Sequence, residues 1–230
     1  MKKKFLAEML GTAVLVLVGC GTAMLVGCDA ANGAGYLLTA LAFGLAIVAV
    51  AYSFGNISGG HINPAVSLAM LMRGDLKRDE FFKYCGAQVL GAGLGTALLA
   101  LIFKLGGVSD MTGGFGANGL AGVNGSWLAG LVVEIVLTFV FVSAILGVTS
   151  KKAGHGSFGG LVIALTLVLV HILGIGLTGT SVNPARSLMP AIAAAISGNS
   201  AALGSVWVFI VGPMAGAALA AMTYKCLEKK

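Results

Sequence analysis

The chain has 230 residues, of which 58% are hydrophobic and only 10% are charged, and its formal net charge is +6. A soluble domain of this size needs a charged surface, so this composition excludes that class. The 36 glycines suit helices that pack closely in lipid, and the basic residues lack the interleaved aromatics of a nucleic-acid footprint. We therefore expect a polytopic helical membrane protein that sits in a lipid bilayer and binds no nucleic acid.

Six apolar segments have the length of about 20 residues that a spanning helix needs. They cover roughly 5–26, 36–55, 81–104, 127–148, 158–177 and 203–225. Two further apolar stretches, 64–72 and 184–196, are about half as long, and each opens with Asn-Pro. The predicted fold class is an all-α membrane protein with six transmembrane helices plus two re-entrant half-helices.

The sequence contains an internal repeat. "AEMLGT" at 7–12 recurs as "VEIVLT" at 133–138, and Asn-Pro-Ala occurs at 63–65 and again at 183–185. We predict one domain over 1–230, with a first repeat over about 1–104, a linker loop over 105–126 and a second repeat over about 127–230. Each repeat has three full spans, an odd number, so the two repeats must have opposite orientations in the membrane. In such inverted repeats the functional site lies where the repeats meet, at the bilayer midplane.

The basic residues predict the orientation. Twelve of the fourteen Lys and Arg residues fall on the side of the amino terminus or in the two tails: Lys2, Lys3, Lys4, Arg73, Lys77, Arg78, Lys83, Lys151, Lys152, Lys225, Lys229 and Lys230. Because cytoplasmic loops are enriched in Lys and Arg, both termini should be cytoplasmic.

The two Asn-Pro-Ala motifs predict helix starts within the membrane. Asn63 and Asn183 are preferred N-cap residues, and Pro64 and Pro184 follow at the position where a helix needs no N–H. Two half-helices entering from opposite faces would meet near the centre and direct the positive ends of their dipoles at each other.

The strings that lead into these motifs predict a polar path. "NISGGHI" and "GLTGTSV" are rich in glycine and offer extended backbone, which membranes tolerate only where it lines a wet cavity or is buried in protein. We expect the carbonyls of six residues to line such a cavity: Gly59, Gly60, His61, Gly179, Thr180 and Ser181. The side chain of His61 could line the cytoplasmic half of that cavity or brace the loop.

The strings "SGGHINPAVSLAM" and "TSVNPARSL" resemble those of the aquaporins, members of the major intrinsic protein family, and the resemblance extends over essentially the whole chain. It implies an aquaporin-like inverted repeat with Ala65 and Ala185 completing the pore motifs. It also implies a homotetramer in the plasma (inner) membrane, with water as the permeant and no cofactor.

Arg186 directly follows the second motif, and an isolated Arg at membrane depth is functional by default. The resemblance implies an outer selectivity constriction formed by Phe43, His171, Thr180 and Arg186. Glycerol channels of the family typically have Gly in place of this His, so a passive water channel that excludes ions and protons is the expected function. A glycerol or small-solute facilitator of the same fold is the alternative.

Glu8 and Glu134 occupy matching places in the two repeats and fall inside apolar spans. They could relay protons, but the resemblance implies that each carboxylate accepts backbone N–H bonds from a re-entrant loop. A secondary transporter would also have inverted repeats, yet the spans carry no acidic site besides this pair. No nucleophile–base pair, metal-ligand spacing or phosphate-binding loop is present, and "GFGANG" in the linker predicts only a turn. We expect neither an enzyme nor a metal site.

Overall fold

The computed structural model describes residues 1–28, 33–150, 152 and 156–228. Lys151, Lys229 and Lys230, which contribute to the predicted cytoplasmic charge, lie outside the described residues. Within the described ranges the protein is helical and has no strand. The helices are α1 (Lys2–Val26), α2 (Gly33–Ser53), α3 (Gly55–Ser58), α4 (Pro64–Arg73), α5 (Arg78–Gly106), α6 (Trp127–Val148), α7 (Gly159–Thr178), α8 (Pro184–Ile196), α9 (Ala201–Ser205) and α10 (Val208–Glu228).

Within the part of the chain that the structure describes, six helical segments are long and apolar enough to cross a membrane, which confirms the predicted class. The first five are α1, α2, α5, α6 and α7, and their ends lie within three residues of the predicted ones. The sixth combines α9 and α10. The predicted continuous helix over 203–225 is interrupted here, because the Val206 N–H donates to the carbonyl of Leu203 and the long helix restarts only at Val208.

The two half-helices are α4 and α8, and they begin at Pro64 and Pro184 as the sequence predicts. They contain 10 and 13 residues, which correspond to about 15 and 20 Å of helix. Both are shorter than the hydrocarbon core of about 30 Å. Neither can span the bilayer, so each must end inside the protein.

The contacts between helices follow the same scheme in the two halves of the chain. Helix α1 packs against α2 and α5, and α6 packs in the same way against α7 and α10. Each half-helix also packs against the last long helix of the other half, α4 against α10 and α8 against α5. This exchange holds the amino-terminal ends of both half-helices at the centre of the bundle.

Glycine permits the closest of these approaches. A Cβ at Gly91 of α5 would overlap the backbone of Met9 in α1, and a Cβ at Gly216 of α10 would overlap the backbone of Ile135 in α6. Small residues at such crossings let helix backbones come together in lipid. The high glycine content of the sequence is therefore used in part for helix packing.

Candidate functional site

The Asn side chains cap the half-helices. Asn63 is extended, and its Oδ1 accepts the N–H of Ala65 at 2.9 Å. Asn183 has the same conformation, and its Oδ1 accepts the N–H groups of Ala185 at 3.1 Å and of Arg186 at 3.3 Å. The caps satisfy N–H groups that the first turn of a helix leaves without partners.

The same two Asn residues tie the two halves of the chain together. Asn63 Nδ2 donates to the carbonyl of Val182 at 2.7 Å, and Asn183 Nδ2 donates to the carbonyl of Ile62 at 2.9 Å. Each amide nitrogen carries two N–H groups. One is used in this reciprocal contact, so each Asn keeps a second donor, and both residues line the same internal cavity.

The backbone before each motif is strained in the same way. Ile62 has φ 43° and Val182 has φ 45°, in the left-handed region that β-branched residues avoid. Such a conformation costs on the order of 1–3 kcal/mol and persists only where surrounding contacts enforce it. It also leaves neighbouring carbonyls without a partner among the described residues, namely those of Gly59, Gly60, His61, Gly179, Thr180 and Ser181.

Glu8 supplies the contacts that hold the first loop. Its carboxylate is fully buried and accepts the N–H groups of His61 at 2.9 Å and Ile62 at 2.6 Å. It also accepts the hydroxyl of Ser58 at 2.6 Å and the amide of Gln88 at 2.8 Å. A buried carboxylate needs such donors, and hydrogen bonds to a charged group are the strong ones.

Glu134 does the same for the second loop. It is also fully buried, and it accepts the N–H groups of Ser181 and Val182, both at 2.9 Å, and the hydroxyl of Thr178 at 2.8 Å. Each Glu thus accepts the N–H of the strained residue that precedes an Asn-Pro-Ala motif. The geometry therefore matches structural support of the loops by the two carboxylates.

Three of the predicted constriction residues lie together. The rings of Phe43 and His171 are stacked with their centroids 4.6 Å apart, and Arg186 Cζ lies 4.9 Å from the centroid of the Phe43 ring. All three side chains are buried. All three line the central cavity, and His61 lines it as well.

A hydrogen bond determines which ring nitrogen of His171 carries the proton. Its Nδ1 lies 2.9 Å from the carbonyl of Leu167, which can only accept, so Nδ1 carries the proton. In the neutral imidazole Nε2 then has a lone pair, and it is buried without a partner in the described part of the chain. The central cavity thus has an acceptor on His171 and donors on Arg186 in its lining.

Thr180 is placed differently from the other three. It is fully buried and has φ 48°, and a Cβ added to Gly174 of α7 would overlap its hydroxyl. The side chain thus packs against α7, and Thr180 is not among the residues that line the central cavity. Its contribution to a constriction would come from its backbone and its packing.

The linker loop makes contacts with α8 that the sequence does not predict. Arg186 Nη1 donates to the carbonyl of Gly116 at 2.9 Å, and Asn118 accepts the hydroxyl of Ser187 at 2.7 Å. Gly116 has φ 65°, and a Cβ there would lie 3.1 Å from the backbone of Cys20. "GFGANG" is therefore a turn, as predicted, but it also positions Arg186, and only its polar Asn hinted at that.

The central cavity is narrow. It has a volume of about 20 Å³ accessible to the centre of a water molecule, and about 10–15 Å³ is enough to hold one water. Its lining combines apolar side chains with the Asn pair and four other polar residues: Leu15, Phe43, Ile47, His61, Ile62, Asn63, Phe141, Leu167, His171, Ser181, Val182, Asn183 and Arg186. A cavity of this volume holds about one water-sized molecule.

Gly19 of α1 makes room for the Phe43 ring, because an added Cβ would overlap that ring. We expect Gly19→Ala to lower the midpoint of thermal unfolding in detergent, since overpacking costs about 1–3 kcal/mol. Gly86→Ala is the matched control, because a Cβ at this helical position meets nothing within 4 Å. That variant should be neutral or slightly more stable. Equal midpoints for the two variants would contradict the assigned packing of Phe43.

Comparisons with known proteins agree with this geometry. Aquaporin Z of Brucella melitensis biotype 1 is 42% identical over 236 residues, with 99% of this chain and 98% of the relative covered. Aquaporin Z of Rhodopseudomonas palustris is 40% identical, with 98% and 93% covered. The X-ray structure of the aquaglyceroporin from Plasmodium falciparum superimposes with a TM-score of 0.86 at 24% identity, covering 97% of this chain and 95% of that one.

The family model described as major intrinsic protein matches residues 1–224. The structural neighbour shares the fold of this chain, and the two relatives match it along nearly their whole lengths. With the half-helices and their Asn caps in the arrangement described above, this chain belongs to the major intrinsic protein family.

Proposed function

We propose that this protein is a passive channel that conducts water down osmotic gradients and excludes ions and protons. One observation carries the proposal: two capped half-helices present a pair of Asn amides to a cavity with room for about one water. The relatives named aquaporin Z support it, at 37–42% identity over nearly their full length.

The Asn pair explains how water passes while protons do not. A water oxygen at the midpoint would accept the remaining N–H groups of Asn63 and Asn183, so its lone pairs would be occupied. It could not then accept a proton from its neighbour in the file, and proton relay would be interrupted there. The positive ends of α4 and α8 meet at the same place and raise the energy of any cation.

The outer constriction favours water over larger solutes. His171 and Phe43 narrow the path, while the His171 acceptor and the Arg186 donors replace hydrogen bonds that a water loses on entry. A glycerol molecule would need the space that the stacked rings fill. The aquaglyceroporin neighbour shares the fold and does not by itself favour glycerol transport here.

The two glutamates complete the proposed path, together with the carbonyls that have no partner among the described residues. We assign Glu8 and Glu134 to holding the loops in the strained conformation. The carbonyls of residues 59–61 and 179–181 would then accept hydrogen bonds from successive waters and replace part of their hydration. The two halves, about 1–104 and 127–230, form one inverted-repeat domain in this proposal.

The surroundings of the channel follow from charge and exposure. Basic residues on the side of both tails favour cytoplasmic termini in the inner membrane. Helix α7 exposes large apolar side chains, including Leu169 and Leu173, that suit lipid or a neighbouring subunit. The family resemblance supports a homotetramer in which each subunit has its own pore.

The proposal is tested by osmotic shrinkage of proteoliposomes in a stopped-flow instrument. With purified protein, we expect water permeability well above that of empty liposomes of the same lipid under a sucrose gradient. Under a glycerol gradient, the glycerol permeability should stay at the level of empty liposomes. Water permeability no higher than that of empty liposomes would overturn the proposed function, and high glycerol flux would favour the facilitator.

A further inference from the structure

Ser67 lies on the first turn of α4 and connects helix α5 to the first re-entrant loop. Its side chain is fully buried. Its Oγ lies 3.0 Å from Nε2 of Gln88 on α5 and 3.1 Å from Nδ1 of His61 in the loop. Among the described residues this hydroxyl makes no other hydrogen bond. The direction of these two bonds therefore decides which nitrogen of the His61 ring carries a proton.

The bond between Gln88 and Ser67 has a fixed direction. Gln88 Nε2 also lies 2.8 Å from Oε2 of Glu8, whose two carboxylate oxygens accept three further donors. A carboxylate surrounded by donors is ionised and can only accept. The Gln88 amide must therefore turn its nitrogen toward Glu8, and its second N–H points at Ser67 Oγ. Ser67 thus accepts a hydrogen bond from Gln88.

The hydrogen of the Ser67 hydroxyl then has a single acceptor. A hydroxyl carries one hydrogen and two lone pairs. In the part of the chain that the structure describes, the acceptor within reach of that hydrogen is Nδ1 of His61. If Nδ1 carried a proton itself, Gln88 and His61 would both donate to Ser67, and its buried hydrogen would have no partner. Nδ1 is therefore unprotonated, and in the neutral ring Nε2 carries the proton.

The other edge of the His61 ring serves the central cavity. The ring packs against Tyr84 with the centroids 5.1 Å apart, and Gly59 leaves room for it, since a Cβ there would lie 3.2 Å from His61 Nε2. His61 is only partly buried and lines the cavity. No described residue makes a hydrogen bond with Nε2, so its N–H is left for a molecule in the cavity.

We propose that Ser67 is a positioning residue that selects the Nε2–H form of His61, so that His61 donates a hydrogen bond to water passing the first loop. The carbonyls of Gly59, Gly60 and His61 can only accept. A water beside them would keep partners for its hydrogens but would lack a donor to its oxygen. The His61 N–H supplies that donor. With the proton on Nδ1, the ring would instead add one more acceptor to those of the loop.

His171 lines the same cavity in the opposite form. Its proton lies on Nδ1, which donates to the carbonyl of Leu167 at 2.9 Å. The structure thus assigns opposite ring forms to the two histidines of the cavity, and His171 provides an internal reference for a measurement on His61. The effect on water rests on the proposed water-channel function, whereas the ring form of His61 does not.

Solid-state NMR of the protein in lipid bilayers, with isotope-labelled histidine, reads the ring forms at an alkaline pH where both rings are neutral. The sequence has three histidines, and His155→Asn removes the one that lies outside the described residues. The signals of His61 are those that persist in His171→Gly. Protonated and unprotonated ring nitrogens resonate far apart, and correlation with Cδ2, which is bonded to Nε2, distinguishes the two nitrogens.

We expect a protonated Nε2 and an unprotonated Nδ1 at His61, and the reverse at His171. Ser67→Thr and Ser67→Val form a matched pair, because both side chains are β-branched and only Thr keeps a hydroxyl. Ser67→Thr should retain the Nε2–H form of His61, whereas Ser67→Val should also show an Nδ1–H form. The spectrum of His171 should be the same in both variants.

Stopped-flow shrinkage of proteoliposomes, at equal amounts of reconstituted protein, then measures the effect on water. We expect water permeability several-fold lower in Ser67→Val than in Ser67→Thr. Ser205→Ala is the control, because the Ser205 hydroxyl donates only to the carbonyl of Ala202 within the described residues. It should change neither the spectrum nor the water permeability.

A protonated Nδ1 at His61 in the unchanged protein would overturn the proposal, and this result does not depend on whether a variant folds. The same His61 ring form in Ser67→Val as in Ser67→Thr would also overturn it, as would equal water permeabilities of this pair when their ring forms differ. If the unchanged protein conducts no water, the proposed function fails, and the spectrum still decides which form of His61 Ser67 selects.

Discussion

Glu134→Gln is expected to abolish most of the water permeability of this protein and to lower its thermal stability. The Gln side chain keeps one acceptor oxygen and turns the other into an amide donor. One carboxylate oxygen now accepts the N–H of Val182, and the other accepts the N–H of Ser181 and the hydroxyl of Thr178. Whichever oxygen the amide group replaces, its N–H would therefore face at least one donor. A buried donor left facing a donor has no partner and also repels its neighbour.

The size of the effect follows from the strength of these bonds. Hydrogen bonds to a charged group contribute about 1.5–3 kcal/mol each, and every 1.4 kcal/mol shifts an equilibrium about tenfold. Val182 needs this support because its φ of 45° is itself unfavourable. Without it the loop should relax, and its relaxation would move the Asn183 cap and narrow or block the path.

Glu228→Gln is the control, because Glu228 is exposed and its carboxylate contacts only the hydroxyl of Ser150, at 3.1 Å, among the described residues. It should leave stability and water permeability unchanged. Both variants are compared at equal amounts of reconstituted protein in stopped-flow shrinkage and in thermal unfolding. If Glu134→Gln matched Glu228→Gln in both measurements, the support role of the carboxylate would be wrong.

The second large effect is expected from His171→Gly, which should let glycerol through. The substitution removes the ring that stacks on Phe43 at 4.6 Å and opens the side of the path opposite Arg186. Glycerol permeability should rise about tenfold or more, the scale on which pockets discriminate by size. Water permeability should persist, because the Asn pair and both half-helices are untouched.

Leu173→Ala on the same helix is the matched control, since Leu173 is 63% exposed and faces away from the cavity. It should leave glycerol permeability at the level of empty liposomes. Light scattering of proteoliposomes under a glycerol gradient measures both variants. Unchanged glycerol permeability in His171→Gly would show that the ring does not set the size limit.

Much of the fold could be predicted from the sequence because its signals are local. The length of each apolar run predicts a span, and Asn followed by Pro predicts the cap and first residue of each half-helix, so α4 and α8 begin at Pro64 and Pro184. The last span was less predictable. Its apolar run continues through Ala201–Ser205, whereas the backbone turns before Val208, and hydropathy does not register that turn.

The candidate site was predictable only in part, because some of its contacts join distant segments. Arg186 was found from its place after Asn-Pro-Ala, but the carbonyl that holds it belongs to Gly116, seventy residues earlier. The reciprocal bonds of Asn63 and Asn183 cross more than a hundred residues. Ile62 and Val182 adopt left-handed backbone conformations, which β-branched residues disfavour. Conformational propensity therefore could not predict them.

The central claim is that the Asn pair and the converging half-helices pass water and stop protons. It is tested most directly by measuring both fluxes on one batch of proteoliposomes, with stopped-flow light scattering for water and an enclosed pH-sensitive dye for protons. The proton flux is driven by a potassium diffusion potential set with valinomycin. We predict water permeability well above that of empty liposomes together with a proton flux equal to theirs. A proton flux that rises with the amount of reconstituted protein would contradict the account.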